Sequence, residues 1–478
     1  MSISKSLSWS YIDRWANRII SLLVFIILAR LLEPKDFGTV AFARLFIDYL
    51  EGFSGQGLDT AVIQKNNLSN QHLNSAFWLI TSLSVIFATT VILCAISLHS
   101  FTDEHVLLSV LCWLSISIIA SGTSRIHVAL LYKNNKFKSL AKRGLVSTVL
   151  GGVTGILFAI NGYGIWSIVI QQIVSTVSGL IITWKLTDWK PRLEFRYESI
   201  RDLLPYSSRI FADQQLQYLY KRMDEALIVV ILGATSLGYY SIAKKIYEIS
   251  MELVYTVPNK VFMSIYSNIQ NDRVKIFLKT RDFNSLFCVL VFPLFFITAT
   301  ISEEIIILIF GANWALASNA LSILMISSIF LLTPNITHPI FNALGHPGIT
   351  LRLNLIRAII SIPLTLIGAN YSLTGIAVSV LFRNILGTIF DLSNIRNLNN
   401  QLANSIWKSQ LKITIICVVV TSLVLLVKES YLKTLDSKSI IILLLPTQFL
   451  AYNYIIRFLI KSEYFNALNS IKNYRFKG

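Results

Sequence analysis

The sequence is short of charge: only 14% of its 478 residues are Asp, Glu, Lys or Arg, where a soluble protein carries about 25%. It has four cysteines, all inside apolar stretches and without the spacing of metal ligands or disulfide frameworks. Its six histidines form no HExxH or comparable cluster. We therefore predict no metal site and no cofactor, and a chain unlike a soluble globular protein.

Hydrophobic sequence takes the place of the missing charge. Hydrophobic residues make up 54% of the chain, and apolar stretches of membrane-spanning length recur from end to end. This pattern is typical of a helical protein that crosses the membrane many times. We predict an all-α integral membrane fold with about 14 transmembrane helices. Their expected limits are 9–32, 37–64, 73–98, 105–132, 140–160, 163–186, 203–232, 237–266, 283–310, 315–332, 350–369, 373–395, 411–427 and 439–460.

The net charge of +17 is carried by loops between apolar stretches. Loops rich in Lys and Arg alternate with loops that have almost none, which the positive-inside rule explains better than nucleic-acid binding does. We therefore expect no nucleic-acid partner, and we expect both termini in the cytoplasm. The loop 428–438 disagrees with this topology, because it should lie outside and yet has three lysines.

The two halves of the chain resemble each other at an offset of 200 residues. The aligned pairs are Gly38–Gly238, Ala43–Ala243, Arg44–Lys244 and Asp48–Glu248. Repeated halves with polar sites at their interface are typical of transporters. We predict two six-helix bundles related by pseudo-two-fold symmetry, followed by two extra helices. The expected divisions are 1–186 and 203–396 for the bundles, 187–202 for a cytoplasmic linker, and 397–478 for the extra helices and a basic tail.

Polar residues recur every four positions along the seventh predicted helix, at Arg209, Asp213, Gln217, Lys221 and Glu225. A charge at the centre of a membrane helix costs about 2.5 to 3.5 kcal/mol on insertion scales, so this stripe is expected to face protein or water. One interpretation is a structural ladder of ion pairs, in which Arg209 pairs with Asp213 and Lys221 pairs with Glu225. The other, which we favour, is the wall of a cavity.

The first, second and eighth predicted helices also contain charges. Arg14 and Arg18 share one face of the first helix, where arginines suit an anion such as phosphate; contact with lipid headgroups is the alternative. In the second helix Arg44 is followed by Asp48 and Glu51, and in the eighth Lys244 is followed by Glu248 and Glu252, so both helices have a base and then two acids. These acids are candidates for a coupling proton or cation, although Arg44 and Asp48 can also form a purely structural ion pair.

Other polar features are predicted to have smaller roles. Charged residues of the fourth, eleventh and twelfth helices are interpreted as isolated, namely Arg125, His127, Arg352, Arg357, Arg383 and Asp391. Arg383 is the best further cavity candidate among them. The glycines at 52, 55 and 57 are expected to permit close packing or a bend at the end of the second helix.

Several motifs point to one family. The sequence has RLLEPKDFG at 30–38, GLDTAVIQ at 57–64 and LNSAFW at 73–78, with LGATSLGYY at 232–240 in the second half. It resembles the polysaccharide transporter family of Wzx-type flippases in the multidrug/oligosaccharidyl-lipid/polysaccharide superfamily, closest to the colanic-acid-exporter-like branch. Two departures from the family pattern are Asp59, where small or apolar residues are usual, and the high charge between Asp213 and Glu225.

The resemblance implies a flippase that moves an undecaprenyl-diphosphate-linked oligosaccharide across the bacterial inner membrane by alternating access. Membrane lipid is an expected contact; a polysaccharide polymerase and a chain-length regulator are further candidate partners. We predict substrate contacts from Arg14, Asn17, Arg18, Arg44, Gln217, Lys221, Arg222 and Lys244. We predict coupling-ion or ion-pair roles for Asp13, Asp48, Glu51, Asp213, Asp224, Glu225, Glu248 and Glu252.

Three other functions fit parts of the sequence. A drug or cation antiporter of the same superfamily is expected to have a more acidic, more aromatic site. A polysaccharide polymerase or ligase needs a large outer loop with catalytic residues, and the predicted outer loops are short. A structural scaffold would not need charges at repeated positions within the membrane. The sequence leaves open the glycan, the coupling ion and the oligomeric state.

Overall fold

The fold is described from a computed structural model, which covers residues 3–99, 105–256, 262, 265–266, 269, 272–432 and 436–459. Within these ranges the chain forms helices joined by short turns, and no strand occurs. The predicted all-α class is confirmed. Contacts between Cα atoms divide the chain into two compact units, Met1–Gly238 and Tyr239–Gly478.

The first unit is built from eight helices in the described part of the chain, the last of which continues into the second unit. They are α1 (Ile3–Leu31), α2 (Pro34–Gly55), α3 (Leu58–Gln64), α4 (Asn70–His99), α5 (His105–Lys133), α6 (Phe137–Ile160), α7 (Trp166–Leu186) and α8 (Tyr197–Met251). Helix α5 is central, because it packs against α2, α4 and α7. Helix α6 packs between α1 and α7.

The second unit begins within α8. A π-helical turn (Glu252–Thr256) extends α8, and the later helices are α9 (Arg273–Thr300), α10 (Ser302–Phe310), α11 (Ala317–Ser327), α12 (Leu332–Ala343), α13 (Pro347–Ala369), α14 (Leu373–Leu398), α15 (Asn400–Tyr431) and α16 (Ser437–Leu459). A 3₁₀ turn, Ser328–Leu331, separates α11 from α12. Helix α14 packs against α11, α12, α13 and α15.

Eleven helical segments in the described ranges are long and apolar enough to cross a membrane. The chain is thus a multi-pass membrane protein. Helices α1 and α2 are not among the eleven, and one segment, Tyr197–Tyr255, takes in the seventh predicted span and most of the eighth. That segment bends at Gly233, whose φ is +82°, where a short loop is predicted. The number fourteen, the symmetry and the predicted domain limits stay predictions.

The end of α2 follows from its glycines. The helix stops at Gly55, and Gln56 (φ +46°) and Gly57 (φ +67°) adopt the left-handed conformation that turns the chain into α3. A Cβ atom on Gly57 would lie 2.6 Å from the carbonyl oxygen of Ser207 on α8. Glycine is needed there both for the backbone angle and for the close approach of α8. The predicted bend is confirmed.

The linker before α8 is held on the start of α4. Asn74 accepts a hydrogen bond from the Arg192 backbone N–H (3.2 Å) and donates one to Glu194 (3.2 Å). The indole N–H of Trp78 donates to the Arg192 carbonyl oxygen at 2.8 Å. The Ser75 hydroxyl accepts from the Arg196 backbone N–H at 2.9 Å. The LNSAFW motif therefore binds the linker.

Candidate functional site

Arg44 is the centre of a polar network inside the first unit. Its guanidinium donates to Asp48, one turn further along α2, at 3.0 Å. A second donor reaches the amide oxygen of Gln172 on α7 at 2.6 Å. The predicted pair of Arg44 with Asp48 is observed. Gln172 was not predicted, because two adjacent amides, Gln171 and Gln172, in an otherwise apolar segment give no helical spacing signal.

Tyr218 holds the polar stripe of α8 beside α2. Its hydroxyl donates to the Leu45 carbonyl oxygen at 2.7 Å. The same hydroxyl interacts electrostatically with four predicted site residues, which are Arg44, Asp48, Arg222 and Glu225. Segments about 170 positions apart in the chain thus meet around one tyrosine. We call these five residues the Tyr218 cluster.

The arginines of the Tyr218 cluster are more exposed than their acidic partners. Arg222 donates to Glu225 at 2.6 Å, and the two side chains are 36% and 7% exposed. Arg44 and Asp48 are 41% and 27% exposed. Each carboxylate orients a guanidinium while remaining behind it, so the cluster presents its positive groups outward.

An apolar groove adjoins the Tyr218 cluster. It has a volume of about 340 Å³ and is lined by one face of α2 and one face of α8. Arg222 lines it as the charged residue in an otherwise apolar and aromatic wall. The lining residues are Phe42, Leu45, Phe46, Tyr49, Tyr218, Leu219, Arg222, Met223, Ala226 and Val230. A long apolar group can therefore lie against this wall with a charged end at Arg222.

The rest of the α8 stripe is joined by amide contacts. Gln217 donates to Asp213 at 2.8 Å and accepts from Lys221 at 3.4 Å. The predicted ladder begins with a pair between Arg209 and Asp213, and the described side chains show no such pair. Asp224 is buried, and its carboxylate accepts the backbone N–H of Glu225 at 3.0 Å.

Arg125 was predicted to be isolated, and that prediction is wrong. Its guanidinium donates to the Glu51 carbonyl oxygen at 2.7 Å and contacts the Asp59 carboxylate at 3.4 Å. A Cβ atom on Gly55 would lie 2.3 Å from this guanidinium, so the glycine makes room for it. Asp59, a departure from the family pattern, has its partner in Arg125.

The remaining predicted site residues lie elsewhere. Asn17 accepts from Thr148 on α6 at 3.5 Å, and Arg18 is half-buried on α1. In the second unit, Lys244 lies 5.7 Å from the ring centroid of Tyr240, a cation–π distance. Glu248 is exposed and Glu252 is half-buried. The side chains of Asp13 and Arg14 lie outside the described residues.

The sequence did not predict a buried charged cluster that lies in the second unit. Arg357 on α13 donates to Asp391 on α14, and both are buried. His338 on α12 lies 3.3 Å from each of them. The prediction that Arg357 and Asp391 are isolated is therefore wrong. Their sequence separation hides the pairing, and the available signal was the rule that charges within membrane helices need partners.

The comparisons with known proteins agree with the predicted family. The polysaccharide biosynthesis protein family matches residues 27–319, and the chain belongs to that family. Among the described residues, no group of three or more His, Cys, Asp or Glu could hold a metal ion.

The relatives have low sequence identity to this chain, but the similarity covers most of each chain. The succinoglycan biosynthesis transport protein ExoT of Rhizobium meliloti (strain 1021) is 24% identical over 75% of this chain and 72% of its own. The lipopolysaccharide biosynthesis protein WzxC of Escherichia coli (strain K12) is 21% identical over 80% and 78%. The lipid II flippase MurJ, solved in an inward closed conformation, has a TM-score of 0.70 at 16% identity, over 94% of this chain and 99% of its own. The structural likeness shows a shared fold.

Proposed function

We propose that the protein is a transporter, and specifically a flippase that moves undecaprenyl-diphosphate-linked oligosaccharides from the inner to the outer leaflet of the bacterial inner membrane. The glycan would serve a surface polysaccharide such as O-antigen, capsule or exopolysaccharide. In this proposal the diphosphate binds at the Tyr218 cluster and the polyprenyl chain lies in the groove between α2 and α8. The observation that carries the proposal is this juxtaposition of an apolar groove and outward-facing arginines.

The chemistry of the substrate explains why the two features belong together. A polyprenyl diphosphate has a long apolar chain joined directly to a dianionic head. The groove offers apolar and aromatic side chains to the chain, and Arg222 stands where that wall becomes charged. Arginine binds phosphate oxygens through paired N–H groups. Because Glu225 and Asp48 lie behind their arginines, the site favours an anion over a cationic drug.

Alternating access between two six-helix bundles is the mechanism we propose, with the fourteen spans, the pseudo-two-fold symmetry and the cytoplasmic termini predicted above. The names of the relatives support a role in transport, because ExoT is named as a transport protein and MurJ as a flippase. A polysaccharide polymerase and a chain-length regulator are the protein partners we propose for the exported unit. Asp48, Glu51 and the acids of α8 remain candidates for ion coupling.

The arginines are tested by reconstituting the protein with the lipid-linked unit that accumulates in cells lacking it. Arg44→Gln and Arg222→Gln should each slow translocation roughly tenfold or more, since a hydrogen bond to a charged group is worth about 1.5 to 3 kcal/mol. Arg201→Gln, a change of an exposed arginine on the same helix, is the matched control. Equal rates for all three variants at equal reconstituted amounts would refute the assignment.

The groove is tested by filling it. Ala226 lines the groove, whereas Ala212 is an exposed residue of the same helix outside it. We expect Ala226→Trp to slow translocation of the polyprenyl-linked unit strongly and Ala212→Trp to leave it near the wild-type rate. If the two tryptophan variants behave alike, the polyprenyl chain does not use this groove.

A further inference from the structure

A polar pocket of the second unit lies where the last turns of α14 meet the start of α15. It has a volume of about 220 Å³. The lining residues are Ile389, Leu392, Ser393, Arg396, Ala403, Asn404 and Trp407. The wall thus combines one cation with small polar groups, an indole and aliphatic side chains, and none of these residues is acidic.

Arg396 has donors to spare in this pocket. It is exposed near the end of α14, and it donates one N–H across to the side-chain oxygen of Asn404 on α15 at 3.4 Å. That amide is neutral and donates in turn to Asn400 at 3.3 Å. Within the described ranges Arg396 has this neutral partner and no acidic one. A guanidinium has five N–H donors, so most of those of Arg396 are available to an anion.

The sequence around the pocket is basic and offers no acid to compensate. Residues 392–428 include no Asp or Glu, while Arg396, Lys408 and Lys412 bring positive charge into that run. Asp391, the acid just before it, is buried in the charged cluster of the second unit and already paired. An anion in the pocket therefore meets a positive potential that no neighbouring carboxylate along the chain reduces.

The pocket lies at the predicted boundary between membrane and cytoplasm. The twelfth predicted span ends at residue 395 and the thirteenth begins at 411, and the predicted topology places the segment between them on the cytoplasmic side. Two apolar lining residues, Ile389 and Trp407, are 48% and 42% exposed, so the pocket opens towards lipid. Indole rings are frequent at this depth, where one end is apolar and the other meets headgroups. The pocket is thus at the level of lipid phosphates.

We propose that this pocket binds the phosphate of an anionic phospholipid, with Arg396 as its cationic donor. Arginine binds phosphate oxygens through paired N–H groups, and basic pockets between membrane helices on the cytoplasmic side bind acidic lipid headgroups. One guanidinium matches the single phosphate diester of a phospholipid. The aliphatic wall of Ile389 and Leu392 suits the start of its acyl chains, which a free phosphate lacks. The bound lipid bridges the end of α14 and the start of α15.

The pocket is tested by cysteine protection in the full chain, after its four natural cysteines are replaced. Ser393→Cys places a thiol in the pocket, and Gln401→Cys places one on an exposed position of α15 outside it. The reagent is N-ethylmaleimide, which is uncharged and does not respond to the surface potential. Nanodiscs of phosphatidylcholine mixed with phosphatidylglycerol, compared with phosphatidylcholine alone, should slow labelling of Ser393→Cys severalfold and leave Gln401→Cys at its original rate.

The role of the guanidinium is tested in the same nanodiscs. Arg396→Gln should abolish the protection of Ser393→Cys, whereas Arg352→Gln, a change of an exposed arginine on α13, should preserve it. Native mass spectrometry should show phosphatidylglycerol binding weakened roughly tenfold or more by Arg396→Gln, as expected for loss of a hydrogen bond to a charged group. Protection that persists in Arg396→Gln, or that is equal at both cysteines, overturns the proposal.

The lipid is distinguished from a free anion by adding inorganic phosphate to the phosphatidylcholine nanodiscs. We expect no protection of Ser393→Cys from inorganic phosphate, because it cannot use the aliphatic wall of the pocket. Equal protection by inorganic phosphate and by phosphatidylglycerol would overturn the assignment to a phospholipid. Both measurements observe the pocket directly, so their outcome is independent of whether the protein translocates a glycan.

Discussion

Arg125 shows how one residue can connect three helices at the end of a membrane segment. It extends from α5, donates to the last turn but one of α2 and contacts Asp59 at the start of α3. Its side chain is 23% exposed, so its charge is only partly hydrated. The left-handed turn at Gln56 and Gly57 lies between its two partners. Arg125 therefore fixes the position of this turn.

Replacing Arg125 should loosen that junction. Arg125→Gln removes the charged donors from the Glu51 carbonyl and from Asp59, and should lower the free energy of unfolding by about 1 to 3 kcal/mol. The measurement is thermal unfolding in detergent micelles with and without lipid. Asp59→Asn should cost less, because the contact with the Glu51 carbonyl remains.

A double-mutant cycle identifies the pair itself. Arg125→Gln/Asp59→Asn should be less unstable than the sum of the single changes, because the cycle removes both charges together. Asp188→Asn is the control, since Asp188 is fully exposed in its 3.6 Å contact with Lys136 and should change stability very little. If the two single changes had additive effects on the free energy of unfolding, Arg125 and Asp59 would not stabilise the protein as a pair.

At the scale of elements, the linker before α8 depends on α4. Asn74 is 1% exposed and uses both ends of its amide on the linker, one for Arg192 and one for Glu194. The linker residues between Leu186 and Tyr197 have no helix of their own. Their position therefore comes from these side-chain contacts.

Asn74→Ala should release the linker. It removes an acceptor from a backbone N–H and a donor from a carboxylate, and the linker is rich in Lys and Arg. We expect faster tryptic cleavage between residues 185 and 201 in the purified protein, read by mass spectrometry of the fragments. Asn67→Ala, a change of an exposed loop residue before α4, should cleave at the wild-type rate. Equal rates for both variants would show that Asn74 does not hold the linker.

The sequence predicted elements better than it predicted their interruptions. The all-α class and the bend after α2 follow from local hydrophobic pattern and glycine placement, and both are observed. The break between α11 and α12 has one local signal: Pro334 has no N–H to donate to the Phe330 carbonyl oxygen, and the tenth predicted span ends beside it at residue 332. The side chains that satisfy the carbonyl groups of the break, Thr388, Asn384 and Tyr255, come from distant parts of the chain and could not be predicted from a local pattern.

The site divides in the same way. The Arg44–Asp48 contact is a one-turn helical pair and could be predicted from spacing. The other contacts join different helices: Arg44 on α2 donates to Gln172 on α7, and Tyr218 on α8 donates to the Leu45 carbonyl oxygen on α2. Spacing within one helix cannot predict such contacts. The pairing of Arg357 with Asp391 is of the same kind.

At the scale of the whole molecule, one ion pair bears on the predicted topology. Lys428 lies in a predicted outer loop that disagreed with the charge rule. Its ammonium contacts Glu304 at 2.8 Å and donates to the Thr300 carbonyl oxygen at 3.1 Å. Glu304 lies in α10, inside the ninth predicted span (283–310) and near its predicted outer end. One of the three lysines of the loop 428–438 is thus paired with an acid, and the disagreement of that loop with the charge rule stays.

Cysteine labelling tests this topology in intact cells. The four natural cysteines are replaced first, and single cysteines are introduced at Asn161, in a predicted outer turn, and at Asn134, in a predicted cytoplasmic turn. A membrane-impermeant maleimide should label the Asn161→Cys variant and should label Asn134→Cys only after the cells are opened. The reverse pattern would invert the orientation, and labelling of both in sealed cells would contradict the alternation of basic loops.

The repeat itself is favoured by a reciprocal contact within the first unit. A Cβ atom on Gly38 would lie 1.6 Å from the Ala234 carbonyl oxygen, and one on Gly238 would lie 1.9 Å from that of Pro34. At the offset of 200 residues, Gly38 aligns with Gly238 and Pro34 with Ala234. Gly38 therefore faces Ala234, while its repeat partner Gly238 faces Pro34, which is the repeat partner of Ala234. A two-fold axis produces such an exchange of contacts.

An added methyl group at either glycine should force this contact open. Backbone oxygens at 1.6 and 1.9 Å cannot turn away as side chains do, so α2 and the segment after Gly233 must separate in Gly38→Ala or Gly238→Ala. Thr39, which is 8% exposed beside the contact, reports the separation when replaced by cysteine. We expect Thr39→Cys to react with an impermeant maleimide faster in the Gly238→Ala background.

Gly348→Ala is the matched control, because a Cβ atom there meets nothing within 4 Å; labelling of Thr39→Cys should keep its original rate in that background. In the proposed alternating-access cycle, the predicted topology places the glycine contact at the outer face, where it closes the path to the outside. Gly238→Ala should then slow translocation while the folded protein is retained. Unchanged labelling together with unchanged translocation would show that the contact does not gate the path.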